Sequence, residues 1–380
     1  MEAFSLKDHL FNAPKIASLA ESVHAVWPSF ERQKFVEETV SAFPDLELKE
    51  RIAHIRVCLR RHLPEDYREA VAILLRALPA PLDASLSDND FGDFIYAPYS
   101  DFVAQYGCTE DHLDFSLNAL REITQRFSAE DAIRYFINAF PEYTLKTLQT
   151  WAQDSNYHVR RWCSEGTRPR LPWSQKIQIP VSGPRPILEQ LFADRTRYVT
   201  RSVANHLNDI AKTDPELVLE LLTQWKASGR QSPVEMAYIQ KHSLRTLVKN
   251  GHPQALAMLG FGNASNIRLT GLTFDRIVSI GSAINFSFSI ESNENQKVVV
   301  DYIVWFQNKS GAANSKKVFK LQTIALNAGT PAQVSKKHLF KPGMTTRALF
   351  PGTHQIDIQV NGTVLESFQF ELMPGASVTP

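Results

Sequence analysis

The sequence predicts a two-domain chain: an all-α HEAT-like repeat solenoid followed by an all-β immunoglobulin-like sandwich. Three observations predict it: a helical hydrophobic period up to about Gly262, helix starts that recur along this half, and a period of two beyond it. We therefore expect a helical-repeat domain at residues 1–262 and a sandwich at residues 266–380. At 380 residues the chain is long enough to bury a core in each.

The helical half is indicated by apolar residues at helical spacing, such as Ile52, Ile55 and Leu59. Three predicted helix starts share a proline followed by an acid. Proline suits the first turn because its missing N–H has no partner there, and the acid faces the positive helix end. These starts are Pro64-Glu65, Pro141-Glu142 and Pro215-Glu216. Their intervals are close to twice a two-helix repeat, which predicts a solenoid with one helix of each pair on its concave face.

After Gly260-Phe261-Gly262 the pattern changes to a period of two. The runs Val298–Phe306 and Thr353–Gly362 are predicted strands with polar turns between them, and Asn361-Gly362 is a strong hairpin signal. About seven such runs fit between Asn266 and Met373, which is typical of an immunoglobulin-like sandwich. This count predicts the architecture of the domain and nothing about its chemistry.

Composition excludes several classes of protein. The net charge is +1, so charge alone predicts no partner. The cysteines, Cys58, Cys108 and Cys163, are three in number and widely spaced, which gives no zinc or disulfide framework and favours a reducing compartment. We find no secretory signal or transmembrane run, and no P-loop, dinucleotide fingerprint, serine elbow or HExxH pattern. We therefore expect a cytoplasmic protein without a membrane partner, and kinase and dehydrogenase functions have no support.

The segment from Trp151 to Trp173 combines arginines with tryptophans. Its basic residues are Arg160, Arg161, Arg168 and Arg170. In a solenoid the basic residues of adjacent repeats line up on one surface, and Arg197 and Arg201 continue them in the next repeat. This pattern favours nucleic acid as the partner, although a solvated helix face with i,i+4 ion pairs would also be basic.

The aromatic residues and the cysteine of this segment are expected to differ in role. Trp173 follows the helix in a proline-stiffened loop, where it has no core to fill, so it could stack on a nucleotide or wedge beside one. Core packing is favoured for Trp151, and Trp162 is undecided between the two roles. Cys163 is a nucleophile or a half-buried helix residue, and the second is favoured because no histidine with a plausible third member accompanies it.

Two motifs carry a family resemblance. Leu46-Glu47-Leu48-Lys49-Glu50-Arg51-Ile52 is the weaker one, and His158-Val159-Arg160-Arg161 followed by Ser164-Glu165-Gly166-Thr167-Arg168-Pro169-Arg170-Leu171-Pro172-Trp173 is long and specific. Both resemble the AlkC-type DNA alkylation-repair glycosylases, and the similarity covers essentially the whole helical half. Some family members also carry a C-terminal immunoglobulin-like domain.

The resemblance implies a monofunctional base-excision enzyme acting on double-stranded DNA. It would remove cationic alkylated bases such as 3-methyladenine and 3-methylcytosine, leave an abasic site, and need no metal or nucleotide cofactor. Most glycosylases extrude the target nucleotide. This family and its sister family AlkD look like exceptions that bend the duplex without flipping the base. We expect a monomer associated with the bacterial nucleoid.

The site residues are predicted partly from this resemblance. The spacing from Trp151 to Arg161 is similar to an AlkD segment that ends in an active-site arginine. Glu122 and Asn205 stand where AlkD has tryptophans, and the AlkD catalytic aspartate falls near Arg126, which cannot act as an acid. The carboxylate must then come from elsewhere. The predicted catalytic residues are Glu122 and Glu165, and the predicted DNA-binding residues are Arg126, Asp154, Arg160, Arg161, Arg168, Arg170, Trp173 and Asn205.

The chemistry explains why carboxylates are sought. Cleaving an N-glycosidic bond develops positive charge on the sugar, which a fixed anion stabilises. A salt bridge that orders the loop is the alternative for Glu165, and an i,i+4 ion pair is the alternative for Glu122 with Arg126. Two other functions stay open: a non-catalytic repeat protein that binds damaged or bent DNA, and a protein-binding scaffold.

Overall fold

The computed structural model describes residues 5–83, 85, 91–262, 264–311, 315–344 and 347–375. They form two compact units, Met1–Ser243 and Leu244–Pro380. The helices of the first unit are α1 (Leu6–Leu10), α2 (Ala13–Val26), α3 (Arg32–Ser41), α4 (Leu48–His62), α5 (Tyr67–Arg76), α6 (Ala97–Gly107), α7 (Leu113–Ile123), α8 (Ile133–Ala139), α9 (Pro141–Trp151), α10 (Tyr157–Glu165), α11 (Arg185–Leu191), α12 (Arg197–Ile210), α13 (Pro215–Ser228) and α14 (Pro233–Ser243).

The helices of the first unit stack in repeats. Alternate helices pack side by side, α4 on α6, α10 on α12 and α12 on α14, and the intervening helices α5 and α7, and α9 and α11, contact one another. Each repeat buries its apolar stripe against the next, as the helical period requires. The buried chains Val159, Trp162, Val203 and Leu207 belong to the core between α10 and α12. This confirms the predicted helical-repeat architecture.

Two of the three predicted helix starts are confirmed. Helix α9 begins at Pro141 and α13 at Pro215, where the Asp214 side chain accepts a hydrogen bond from the Leu217 amide. The third prediction, at Pro64, was wrong by three residues. There α5 begins at Tyr67, because Asp66 is the N-cap and its side chain accepts from the Glu69 amide.

The second unit contains two short helices and eight strands among its described residues. They are α15 (Arg245–Lys249), α16 (Pro253–Met258), β1 (Ile267–Phe274), β2 (Ile277–Ser279), β3 (Ala283–Ser292), β4 (Gln296–Phe306), β5 (Ser315–Leu326), β6 (Ala332–Leu339), β7 (Gly352–Val360) and β8 (Thr363–Met373). The three-stranded sheet has the order β1-β3-β6 and the five-stranded sheet the order β2-β8-β7-β4-β5. Every pairing is antiparallel except β2 with β8.

The inner faces of the two sheets form one core, which includes Phe288, Tyr302, Ile358 and Phe370. Every second residue of β4 from Val298 to Phe306 belongs to this core, as do Ile356, Ile358 and Val360 of β7, which is the period of two that predicted both strands. The predicted hairpin is present at Asn361-Gly362, where both residues have positive φ, 46° and 82°. The sandwich is therefore confirmed, with one strand more than the predicted count.

Helices α15 and α16 belong to the second unit, although the hydrophobic period changes only after Gly262. The Gln359 side chain donates to the Lys249 carbonyl at 3.1 Å, and the Asn361 side chain donates to the Gly262 carbonyl at 2.7 Å. A Cβ on Gly251 would lie 2.5 Å from the Gly362 Cα. These contacts tie residues 244–262 to the β7–β8 hairpin, so the compact unit begins earlier than the change of period.

We predict that Gly251→Ala destabilises the protein more than Gly260→Ala. Both glycines have positive φ, 74° and 72°, but only Gly251 is crowded, while nothing lies within 4 Å of a Cβ at Gly260. Gly260→Ala is the control and should lower the free energy of unfolding by about 1 kcal/mol, because alanine is strained at positive φ. Gly251→Ala should lower it by about 2–3 kcal/mol more, because the added Cβ overpacks the contact. Urea unfolding of the full chain measures both. Equal losses would contradict the close contact between the glycines.

Candidate active site

The first unit encloses a cavity of about 880 Å³. Its walls come from α4, α6, α8, α10 and α12, together with the turn before α8 and the loop after α10. Carboxylates, basic groups and aromatic rings share this lining, the carboxylates being Asp101, Glu130, Asp131 and Glu165. A concave site with a few converging polar groups is the usual form of an active site.

One chain of charges crosses the cavity wall, and we call it the carboxylate–arginine cluster: Glu130, Arg161, Glu165, Arg168 and Asp209. Glu130 Oε2 accepts from Arg161 Nη1 at 2.5 Å. Arg161 Nη2 lies 3.6 Å from Glu165 Oε1, which also accepts from Arg168 Nη1 at 2.5 Å. Arg168 Nη2 then donates to Asp209 Oδ2 at 2.7 Å. Helix geometry explains part of the chain, because Arg161 and Glu165 are i,i+4 on α10.

Glu165 is a buried anion. Its residue is 5% exposed, and Oε2 accepts a hydrogen bond of 2.6 Å from the Ser202 hydroxyl on α12. Burial alone would raise the pKa of Glu165, but Arg161 and Arg168 outweigh burial and hold the pKa below its ordinary value. The carboxylate is therefore charged at neutral pH and fixed in position by both helices.

Aromatic rings enclose Arg161. Its guanidinium carbon lies 5.1 Å from the Phe91 ring centre and 4.9 Å from that of Tyr198. Those two rings meet edge to face at 6.0 Å. Such contacts favour a cation that has lost its water. Arg161 is 5% exposed, and burial would lower its pKa, but Glu130 and Glu165 raise it, so it keeps its charge.

The two carboxylates beside Arg161 differ in what they can still bind. Both oxygens of Glu165 have partners, whereas Glu130 uses Oε2 for Arg161 and for the Ser128 hydroxyl at 2.5 Å. Among the described residues, Glu130 Oε1 has no hydrogen-bond donor, and the Glu130 side chain is 22% exposed. Glu130 thus presents a free carboxylate oxygen to the cavity.

Comparisons with known proteins identify the family. A family model described as the C-terminal Ig-like domain of the uncharacterised protein YhaZ matches residues 269–374. An uncharacterized protein of Bacillus subtilis, YhaZ, is 36% identical over 369 residues, covering 96% of this chain and 98% of that protein. The structure of Pseudomonas fluorescens alkylpurine DNA glycosylase AlkC, bound to DNA containing an abasic site analog, is 35% identical with a TM-score of 0.86 and covers 97% and 99% of the two chains. The chain belongs to the AlkC family. This confirms the predicted resemblance.

Half of the predicted site residues line the cavity. They are Arg161, Glu165, Arg168, Trp173 and Asn205. Arg161 reaches the cavity as part of a buried ion cluster, which leaves it few free donors for DNA. Asn205 accepts a hydrogen bond of 2.8 Å from His242 on α14. Trp173 is the most open of the five, with 71% of its surface exposed.

The other five predicted residues lie outside the cavity lining. Glu122 pairs with Arg126 at 3.1 Å with its side chain 47% exposed, which is the i,i+4 alternative given above. The Asp154 carboxylate is buried against Arg121. Arg160 pairs with Asp194 at 2.5 Å. Arg170 is exposed in the loop after α10. The structure therefore does not bring Glu122 together with Glu165.

The structure adds residues that sequence reasoning missed. Glu130 lines the cavity and pairs with Arg161, and Tyr198 and Phe91 enclose Arg161. Glu130 lies in the turn before α8, so helical spacing from Arg161 could not reveal it. One signal was present: the adjacent acids Glu130 and Asp131 occur 30 residues before the arginines of α10. No helix in the described residues is long and apolar enough to cross a membrane, and no group of acids, histidines or cysteines there is placed to hold a metal ion.

Burial decides between the roles that the sequence left open for Trp162 and Cys163 in α10. Trp162 is 0% exposed and belongs to the core, and half-buried Trp151 stacks on it at 5.9 Å. Cys163 is also 0% exposed, and its thiol donates to the Val159 carbonyl at 3.2 Å. The thiol therefore packs in the helix core and faces no reacting group.

We predict that Cys163 resists a thiol reagent in the native protein. Burial raises the pKa of this thiol, so almost no thiolate forms at neutral pH. Mass spectrometry after iodoacetamide treatment should find Cys163 unmodified in the folded protein and modified in urea. Rapid modification of Cys163 in the folded protein would revive the nucleophile alternative.

Proposed function

We propose that this chain is a DNA glycosylase of alkylation repair. The observation that carries the proposal is the pair of carboxylates, Glu130 and Glu165, held on either side of buried Arg161 at a cavity wall. Family membership supports it, since AlkC is an alkylpurine DNA glycosylase whose structure holds DNA with an abasic site analog. An abasic site is the product of such a reaction.

The proposed substrates are cationic alkylated bases in double-stranded DNA, such as 3-methyladenine and 3-methylcytosine. A base that already carries positive charge leaves without being protonated, so the site needs no general acid. Glu165 suits this chemistry because its pKa is held low and it stays ionised. Selectivity then comes from the charge and lability of the lesion, and the base need not be flipped into a pocket.

The reaction is hydrolysis of the bond between the base and C1′ of the deoxyribose. The bond breaks with its electron pair on the base, which neutralises the positive base and leaves oxocarbenium-like charge on the sugar. A water oxygen then bonds to C1′ and loses a proton to a carboxylate or to solvent. We assign Glu130 to this step, because its free Oε1 can accept a hydrogen bond from the water. Glu165 is the fixed anion that lowers the energy of the charged sugar.

Neutralising either carboxylate should slow base release. Glu130→Gln and Glu165→Gln keep the side-chain shape but remove the negative charge that stabilises the sugar. We expect single-turnover release of 3-methyladenine from alkylated duplex DNA to fall about 10²- to 10³-fold in each. Glu122→Gln is the matched control, since Glu122 lies on the same unit outside the cavity lining, and it should keep the wild-type rate.

Three outcomes would contradict this proposal. Unchanged base release in both cavity variants would contradict the assignment of Glu130 and Glu165. Loss of activity in Glu122→Gln would instead favour Glu122 on α7 as the catalytic carboxylate. Tight binding of alkylated DNA by the wild-type protein without any base release would favour the non-catalytic DNA-binding function. Circular dichroism of each variant separates these outcomes from misfolding.

The pH dependence should report the ionisation of Glu165. The charged form is the active one, and its pKa is lowered. Activity should therefore be lost on acidification only below the pH range in which an ordinary glutamate is protonated. Ser202→Ala removes one hydrogen bond that lowers this pKa and should move the limb to higher pH. Ser100→Ala, whose hydroxyl donates to the Ala97 carbonyl instead, should leave it in place. Rates are measured after subtracting acid-driven release without protein, and a limb unmoved by Ser202→Ala would contradict the role of Glu165.

A further inference from the structure

Helix α12 presents a row of buried polar side chains to α10 and to the residues that follow it. The members of this row lie about one turn apart on α12, and all four are buried. Three of their contacts serve the carboxylate–arginine cluster directly, whereas the fourth is to backbone. The contacts are Tyr198 on Arg161, Ser202 on Glu165, Asp209 on Arg168 and His206 on the Ser164 carbonyl.

His206 forms a hydrogen bond with the backbone of α10. Its residue is 0% exposed, and Nδ1 lies 3.1 Å from the Ser164 carbonyl oxygen. Because a carbonyl oxygen only accepts, Nδ1 carries a hydrogen and donates it. Burial, and after it the charge of Arg168, lowers the pKa of His206 to about 4. The ring is therefore neutral at neutral pH, with its hydrogen on Nδ1 and none on Nε2.

The second ring nitrogen shows that packing does not explain a histidine at this place. Nε2 of His206 is buried and has no hydrogen-bond partner among the described residues. An unpaired buried acceptor costs about 1–3 kcal/mol, and an apolar side chain of similar size would fill the space without it. What histidine adds is the bond from Nδ1. The role of that bond depends on what the Ser164 carbonyl positions.

The Ser164 carbonyl belongs to the peptide that leads into Glu165. A peptide is planar, so this oxygen and the Glu165 nitrogen turn together. Glu165 is the last residue of α10, and the last carbonyls of a helix have no donor within it. The Thr167 hydroxyl divides its hydrogen between this oxygen at 3.1 Å and the Cys163 carbonyl at 2.8 Å. Thr167 follows Glu165 directly in the chain, whereas His206 ties the peptide to α12.

Helix α12 thus holds Glu165 at both ends. The Ser202 hydroxyl donates to Oε2 of the carboxylate at 2.6 Å, and one turn later His206 holds the backbone. A neutral ring suits the second task, because a cationic side chain beside Glu165 would offset the negative charge that the reaction uses. Carboxylate and backbone are then fixed from one helix.

We propose that His206 is a positioning residue of the base-excision site: its Nδ1–H holds the Ser164 carbonyl, and this bond fixes the peptide from which Glu165 projects toward the sugar. The inference rests on the proposed function, since it gives His206 a part in base release. His206 lies outside the cavity lining and acts through Glu165. A misplacement of about 1 Å can slow a reaction about 10²-fold, so loss of the bond should slow the chemistry and leave DNA binding unchanged.

Two neutral substitutions separate the two ring nitrogens. In His206→Asn the amide nitrogen is as many bonds from Cβ as Nδ1 is, so it still donates to the Ser164 carbonyl. In His206→Gln the amide nitrogen is as far along the side chain as Nε2, and it misses that oxygen. Single-turnover release of 3-methyladenine should stay within about 3-fold of the wild type in His206→Asn and fall about 10- to 100-fold in His206→Gln. Affinity for a duplex with a tetrahydrofuran abasic analogue, measured by fluorescence anisotropy, should not change in either variant.

Two further variants distinguish positioning from loss of stability. Ser116 is also 0% exposed, and its hydroxyl donates to the Gly107 carbonyl at 2.9 Å outside the cavity lining. Ser116→Ala should therefore lower the urea midpoint and keep the rate of base release. In a Glu165→Gln background, His206→Gln should slow release no further, because the charge that it positions is gone. A full further loss in that double variant would contradict action through Glu165.

The wild-type protein tests the bond even if His206→Gln does not fold. NMR of the full chain labelled with ¹⁵N-histidine, with the His206 signals assigned by their loss in His206→Asn, should show hydrogen on Nδ1 and none on Nε2 at about pH 7. Hydrogen on Nε2 alone would overturn the proposal. Equal rates in His206→Asn and His206→Gln, with base release by the wild type, would overturn it and leave the glycosylase function intact. A wild-type protein that binds the abasic duplex but releases no base would refute the glycosylase function and the positioning role together.

Discussion

The ion pair of Arg161 with Glu130 and Glu165 is the interaction on which the rest of the first unit depends. A guanidinium that is 5% exposed cannot be left without anions, so the turn before α8 must bring Glu130 to it and α10 must present Glu165 one turn later. Aromatic rings complete the enclosure from α12 and from Phe91. The packing of α8, α10 and α12 is therefore fixed by charge pairing as much as by apolar burial.

Such a cluster is a poor way to stabilise a fold. Buried ion pairs often contribute less than hydrophobic residues of the same volume, because the loss of hydration offsets the attraction. Breaking one is expensive, since the remaining charge stays buried. The cluster nevertheless extends over three carboxylates and two arginines, and four of these five residues line the cavity. The arrangement fits the proposed reaction, in which anions stay charged and immobile at the place where positive charge develops on the substrate.

The sequence predicted the parts of the structure that local patterns determine. Period and capping were sufficient for the repeats, for the starts at Pro141 and Pro215, and for the hairpin at Asn361-Gly362. The start at Pro64 failed because Asp66 is a better N-cap than Leu63, the residue that would cap a helix beginning at the proline. Among the candidate carboxylates, Glu165 was predicted because arginines surround it in one segment of the sequence, and it lines the cavity. Glu130 was not predicted, because its distance from Arg161 depends on how neighbouring repeats pack. The spacing of residues within one helix carries no information about that packing.

Helix α8 follows the turn that brings Glu130 to Arg161. The same helix also fixes the loop that carries Trp173. At Gly166, directly after Glu165, a Cβ would lie 2.4 Å from the Ile133 side chain, so only glycine lets the end of α10 approach α8. Arg134, the next residue of α8, can then reach the Gly166 carbonyl. The positions of Glu165 and Trp173 are thereby both set by contacts with α8, although seven residues lie between them in the chain. Because both positions are set from α8, the place of the indole relative to the Glu165 carboxylate follows from one packing contact between α8 and the end of α10.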